Sequence, residues 1–228
     1  MIAPTRHHYW TVVVNRILLS VFVFVVVSIS SVQAQENKPD AGEILLQKFL
    51  DDTDTMQAEF HQVLRTHDGE ILQESSGMFY LDRPGDSPGR FRWDYQAPHE
   101  QVIVSDGERI WMYDVELRQV TVQKQSSSLP QTPMALLQKS FRLRDNYDIA
   151  QLDERDGIYR LKLSNKNSDS DFGEIVIGVS AEGLRFLQLH DQFEQVTDIV
   201  FSDVTTNLVL ENSVFQFVPP EGADVFGG

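Results

Sequence analysis

The side chains best suited to chemistry are scattered through this chain without the spacing that any one chemistry demands. His61, His67, His99 and His190 include no pair at the separations of a zinc site. Asn167, Asp169 and Asp171 begin like a calcium loop. Phe172, however, stands where that loop needs glycine, and Gly178 where it needs the closing glutamate. Ser180 lies between Gly178 and Gly183, a spacing that fails the Gly-x-Ser-x-Gly elbow. No Gly-x-x-x-x-Gly-Lys-Ser/Thr string is present to cradle a nucleotide phosphate. With 34 acidic residues some carboxylates must be neighbours, but nothing marks a glycosidase pair. An enzyme is not expected, nor a cofactor or a bound metal.

The aromatic residues carry more information. Phe91, Trp93 and Tyr95 alternate along one extended stretch and therefore share a face. Phe79, Trp111, Phe186, Phe201, Phe215 and Phe217 enlarge the set. Alternation alone is compatible with a packed core or with a cavity.

The elements that must position these rings are mostly strands. Asp40 and Glu43 have capping-box spacing, and Ile44, Leu45, Lys48 and Phe49 continue it, which predicts a helix from Ala41 to about Leu50. Met56, Ala58 and Phe60 then alternate with polar residues, the pattern of a strand with one buried face. Asp68-Gly69, Asp106-Gly107 and Asp156-Gly157 each separate two strand-like runs, as hairpin turns do. Strands are predicted at 90–95, 101–105, 109–114, 119–125, 158–164, 174–179, 184–191, 196–201 and 214–218. Thr132-Pro133 should open a short apolar helix through Met134, Ala135, Leu136 and Leu137. The expected class is mainly β, an unclosed antiparallel barrel of about eleven strands, with short helices covering an apolar interior.

The ends and the charge bound the setting. Arg6 and Arg16 precede an apolar run of thirteen residues, Ile17 to Ile29, and small residues lead to Ala34. This order is that of a cleaved secretory signal peptide over residues 1–34, leaving 35–228 as a single domain. The run falls short of the roughly 20 residues that span a bilayer. The whole chain carries a formal charge of −15, and residues 1–34 contain no acidic residue, so the remainder is more acidic still. Such a surface repels phosphate backbones and anionic lipid headgroups, so nucleic acid is not an expected partner. No cysteine is present, which excludes disulfides and a thioether-linked lipid anchor.

Particular strings resemble the LolA family of periplasmic outer-membrane lipoprotein carriers. Gly77-Met78-Phe79-Tyr80 leads through Arg83-Pro84 to Arg90-Phe91-Arg92-Trp93-Asp94-Tyr95 and Pro98. Val104-Ser105-Asp106-Gly107, Trp111-Met112-Tyr113-Asp114, Gln119-Val120-Thr121-Val122 and Thr132-Pro133 with Leu136-Leu137 follow in order. Asp198-Ile199-Val200-Phe201, Asn207, Phe215-Gln216-Phe217, Pro219-Pro220, Gly222 and Asp224-Val225 match the closing part.

The resemblance implies an unclosed barrel with a helical lid over an apolar cavity. It places Phe79, Phe91, Trp93 and Trp111 at the acyl-binding interior and Met134, Leu136 and Leu137 in the lid. It also implies a gate arginine before proline, which holds the lid shut by hydrogen bonds to the helical segment. The family usually reads Arg-Pro-Gly-Arg-Phe without a break, whereas this chain inserts Asp86-Ser87-Pro88-Gly89. Aligned through the insertion the gate is Arg83; counted back from Phe91 without a gap, its place is taken by Ser87. The implied function is a soluble monomeric periplasmic chaperone that shields the acyl chains of lipoproteins. It would receive them from an inner-membrane ATP-driven (ABC) release complex and pass them to an outer-membrane receptor. A lipid-sensing or protein-interaction module on the same open barrel is the alternative, and recovery of acylated lipoproteins with the protein separates the two.

Overall fold

From Thr55 onward, β-branched and aromatic residues alternate with polar ones, and short turns return the chain upon itself. The computed structural model describes residues 39–85, 88–128, 143–166 and 172–228. One helix comes first, α1 (Ala41–Asp52). Six strands follow as a meander: β1 (Thr55–Arg65), β2 (Ile71–Asp82), β3 (Arg90–Ala97), β4 (Gln101–Ser105), β5 (Arg109–Asp114) and β6 (Gln119–Lys124). Two four-residue helices, α2 (Gln125–Ser128) and α3 (Leu143–Asn146), stand on either side of residues 129–142. A second meander follows: β7 (Tyr147–Arg155), β8 (Ile158–Asn165), β9 (Phe172–Ser180), β10 (Gly183–Asp191) and β11 (Val196–Thr206). The short strand β12 (Asp224–Gly227) ends the chain.

All twelve strands form one sheet in the order β12-β6-β5-β4-β3-β2-β1-β11-β10-β9-β8-β7. Pairing of β1 with β11 joins the two meanders, and the pairs are antiparallel except β12 with β6. The edge strands β12 and β7 do not pair with each other, so the sheet is unclosed. The expected fold class holds, with two local corrections. Residues 214–218 are not a strand: a 3-10 turn (Asn212–Phe215) sits in a strap that runs to β12 instead. The expected capping box does not form, because the Asp40 side chain makes no cap bond and Glu43 turns to Arg144. The predicted leader (1–34) and the predicted helix at Thr132-Pro133 lie outside the described residues.

Register fixes which side chains share a face. Ala58 lies opposite Phe79, Phe79 opposite Trp93, and Phe60 opposite Phe201. On the far half, Leu187 lies opposite Ile177, and Ile177 opposite Leu161. These residues, with Leu46, Phe49 and Leu50 of α1, form one buried apolar cluster on the inner face. The helix packs against β7 to β10. Gly42 permits that approach, since a Cβ there would stand 2.7 Å from the Tyr159 Cβ.

Close backbone contact recurs at Gly77, where the pairing of β2 with β3 shifts register. A Cβ at Gly77 would lie 1.8 Å from the Asp94 carbonyl oxygen. Gly77→Ala is therefore expected to cost about 1–3 kcal/mol, the usual range for overpacking. Urea denaturation checks this as a lower midpoint with an unchanged slope; an unchanged midpoint contradicts it.

Candidate functional site

The inner face holds a set of rings in mutual contact. Phe79 and Trp93 lie with centroids 4.5 Å apart, and Phe60 meets Trp93 edge-on at 4.8 Å. Phe201 reaches the same pair from the second meander, 5.7 Å from Phe79 and 6.2 Å from Trp93. Edge-on and tilted contacts satisfy the ring quadrupoles and add to the large apolar area that each ring buries. Phe79 is 0% and Trp93 6% exposed, and Phe91 is buried beside them. Three of the sequence-predicted interior residues are thus brought together.

Trp111 is not among them. It lies opposite Val104 and Val122, whereas Trp93 lies opposite Ile103, so the two tryptophans occupy opposite faces of the sheet. The expectation that Trp111 lines the interior is corrected: Trp111 and Tyr113 pack on the outer face against Phe217, each with centroids 5.8 Å apart. Two arginines of β3 tie the strap down there. Arg90 binds Asp82 and Asn212 and lies over the Phe215 ring, and Arg92 donates to the Val214 carbonyl at 3.1 Å. Met134, Leu136 and Leu137 lie outside the described residues, as does Ser87.

Arg83 is the buried charge of the site, only 1% exposed. It follows β2 directly, and its backbone N–H donates to the Asp54 carbonyl at 2.8 Å. Its guanidinium donates to the carbonyl of Thr53, the residue that ends α1. Burial lowers its pKa, while Asp54 and Asp51 act in the opposite sense. A guanidinium remains charged regardless, so the bond is charge-assisted. The described contact therefore goes to the first helix, whereas the second segment implicated from the sequence, Thr132 to Lys139, is outside the described residues.

Two further pins involve Asn207 and Glu43, which the sequence marked only as a matching residue and a capping-box residue. Asn207, in the left-handed region at φ 58°, donates from its amide to the Asp52 carbonyl at 2.9 Å and accepts from the Asp54 N–H at 2.8 Å. It satisfies part of the C-terminal backbone that a helix leaves unpaired. At the other end, Arg144 of α3 grips Glu43 through two bonds of 2.5 and 2.6 Å. Gln151 also accepts the Gly42 N–H at 2.9 Å. The left-handed tolerance of asparagine is the local signal at Asn207, and nothing local foretells the pairing of Glu43 with Arg144. A polar network also lies behind Phe91: Ser105 donates to Gln125, and Gln125 donates to the Gly89 carbonyl at 3.0 Å.

One phenol marks the polar end of the ring cluster. Tyr95 meets Phe60 edge-on at 5.0 Å and donates its hydroxyl to Gln62 at 3.1 Å. The histidines are dispersed: His99 bonds Glu116, His190 bonds Gln188 and His67 pairs with Asp68. Asn167, Asp169 and Asp171 are outside the described residues. The arrangement is suited to holding an apolar group, with a helix over one half of the face held by polar contacts at both ends. Among the described residues no helix is long and apolar enough to cross a membrane.

Comparison with known proteins is consistent over most of the chain. Residues 51–218 match the family model described as outer membrane lipoprotein carrier protein LolA. A protein of Methylococcus capsulatus named outer-membrane lipoprotein carrier protein is 41% identical over 181 residues, covering 79% of this chain and 85% of its own. One of the same name from Neisseria meningitidis is 32% identical over 198 residues, covering 87% and 91%. Among solved structures, the LolA superfamily protein NE2245 from Nitrosomonas europaea superposes with a TM-score of 0.40 at 14% identity, over 78% of this chain and 99% of that one.

Burial pushes the Tyr95 phenol up to about 12 from its ordinary 10.0. The raised value means that the neutral form is favoured by folding. Its contribution is fully present below pH 10.0 and is lost as pH rises toward 12. Ultraviolet titration of wild type and Tyr95→Phe should give the same phenolate absorbance until pH passes well above 10.0. A difference that develops by pH 10.0 contradicts the burial of this hydroxyl.

Proposed function

The chain belongs to the LolA family of outer membrane lipoprotein carrier proteins, and from that premise we propose that it carries lipoprotein acyl chains through water on its inner face. The observation that carries this reading is a buried apolar cluster on the inner face of an unclosed sheet, partly covered by a helix with polar contacts at both its ends. The setting is the periplasm, reached through the predicted leader at 1–34. The donor is an inner-membrane ATP-driven release complex and the acceptor an outer-membrane lipoprotein receptor.

Energetics explain why such a carrier is needed. At about 0.8 kcal/mol per buried methylene, one long acyl chain resists transfer into water by on the order of 12 kcal/mol. Escape from a membrane into water is therefore too slow unless an apolar surface accompanies the chain. The ring cluster offers that surface, but in this state the rings pack on one another and α1 covers the neighbouring strands. Arriving lipid takes the place of the helix contacts. A helix whose apolar contacts cargo can replace, and whose position is set by a few hydrogen bonds each worth about 0.5–1.5 kcal/mol net, gives way to cargo and returns when cargo leaves. Closure competes with loading, and this competition keeps affinity low enough for delivery.

Arg83 is the gate in this scheme, through its bond to Thr53. Arg83→Leu strands the Thr53 carbonyl and weakens closure by about 1–3 kcal/mol, so cargo is held about 5- to 150-fold more tightly. Loading and release of a purified acylated lipoprotein, followed by transfer to acceptor vesicles, measure it. The expected result is retained loading with slowed release, and Ser87→Ala leaves both unchanged. Unaltered loading and release in Arg83→Leu reject the gate.

A further inference from the structure

The inner face is not uniformly buried, and the uneven half has a pattern. A single cross-strand row runs from Trp93 on β3 through Ile103, Met112 and Thr121 to Phe226 on β12. Every member faces the same side as the ring cluster. Trp93 is buried, Ile103, Met112 and Thr121 are half-buried, and Phe226 is 53% exposed. The helix α1 packs against β7 to β10, at the other end of the sheet.

The row on one side is polar, and the row on the other alternates polar residues with buried apolar ones. On one flank Gln101, Asp114, Gln119 and Asp224 stand in register across β4, β5, β6 and β12. On the other, Phe91 on β3 and Ile110 on β5 are buried and alternate with Ser105 on β4 and Gln123 on β6. The partly exposed apolar lane beyond Trp93 is thus one residue wide, and it ends at an open sheet edge. Its length follows from strand spacing: four steps of about 4.8 Å give about 19 Å, close to the reach of one extended long acyl chain. A protein partner would need a broader apolar patch than this lane offers. A single alkyl chain needs no more than the lane.

We propose that the row Trp93, Ile103, Met112, Thr121 and Phe226 is an acyl lane. One chain lies across β3 to β12 with its methyl end at the ring cluster and its headgroup end at the β12 edge. The inference rests on the carrier reading and adds to it a route and a polarity. Phe226 marks the point where the chain crosses from solvent, and the polar row Gln101, Asp114, Gln119 and Asp224 keeps a second chain from lying on that side.

The test uses lipopeptides whose acyl chains carry bromine near the methyl end or near the headgroup, and tryptophan fluorescence as the reporter. Met112→Trp and Phe226→Trp place reporters in the lane, and Val200→Trp, half exposed on the outer face, is the control. Methyl-end bromine should quench Trp93, and headgroup-end bromine should quench the reporters at 112 and 226 at least twofold more than the one at 200. Quenching of Trp93 without quenching at 112 or 226 overturns the lane and leaves the carrier reading intact. Absence of quenching at Trp93 with either probe overturns the carrier reading and the lane together. Should a tryptophan variant fail to fold, Met112→Asp supplies the second arm: lipopeptide affinity falls about tenfold or more if the lane is used, and Val200→Asp leaves it unchanged. Equal affinity in Met112→Asp and wild type rejects the lane.

Discussion

An open sheet with one apolar face cannot leave that face to water, and this constraint organises the molecule. Each buried ring and aliphatic side chain on the inner surface stabilises the fold by an amount proportional to the area withdrawn from solvent. Closure of a barrel would meet the requirement permanently. Here the edge strands remain apart, so the requirement is met by contact between the two meanders and by one helix laid over β7 to β10. The fastening of that helix is polar: Arg83 and Asn207 at one end, Arg144 and Gln151 at the other. Apolar packing supplies the bulk of the attraction, and hydrogen bonds set its position. In the proposed carrier cycle such a cover would separate without disturbing the sheet ladder.

The outer face answers a different need. Val104, Val120 and Val122 are buried there beneath the strap, with Phe215 fully enclosed and Phe217 against Trp111 and Tyr113. Alternate residues of β3 divide between the two tasks. Phe91, Trp93 and Tyr95 look inward, while Arg90 and Arg92 hold the strap. The join of β2 to the following loop has the same division, with Asp82 bound to Arg90 outside and Arg83 directed to α1 inside. One short segment therefore ties the cover, the sheet and the strap to a common backbone.

Period-two alternation made most strands legible, and Asp-Gly pairs located three hairpins, since both signals are local. The resemblance also singled out Phe79, Phe91 and Trp93, which the fold buries in one cluster, and Arg83, which it buries against Thr53. What local pattern does not carry is the face toward which a strand turns after a hairpin. Trp93 and Trp111 look alike in sequence, yet the pairing of β3, β4 and β5 sends them to opposite sides. Phe215 and Phe217 alternate with Gln216 as strand residues do, but they cover a sheet without joining it. Glu43 has capping-box spacing, and a partner a hundred residues away outcompetes the local bond. Strand β12 is too short, with Asp224 and Gly227 at its ends, to register as a strand before its pairing with β6 is seen.

The account depends on the inner face receiving lipid and nothing else doing so. Native mass spectrometry of the protein mixed with a triacylated lipopeptide, and with the same peptide lacking its acyl groups, measures that directly. A one-to-one adduct with the acylated form alone, abolished by Trp93→Arg in a folded variant, is the predicted result. Equal adducts with both peptides, or an adduct indifferent to the substitution, would contradict it.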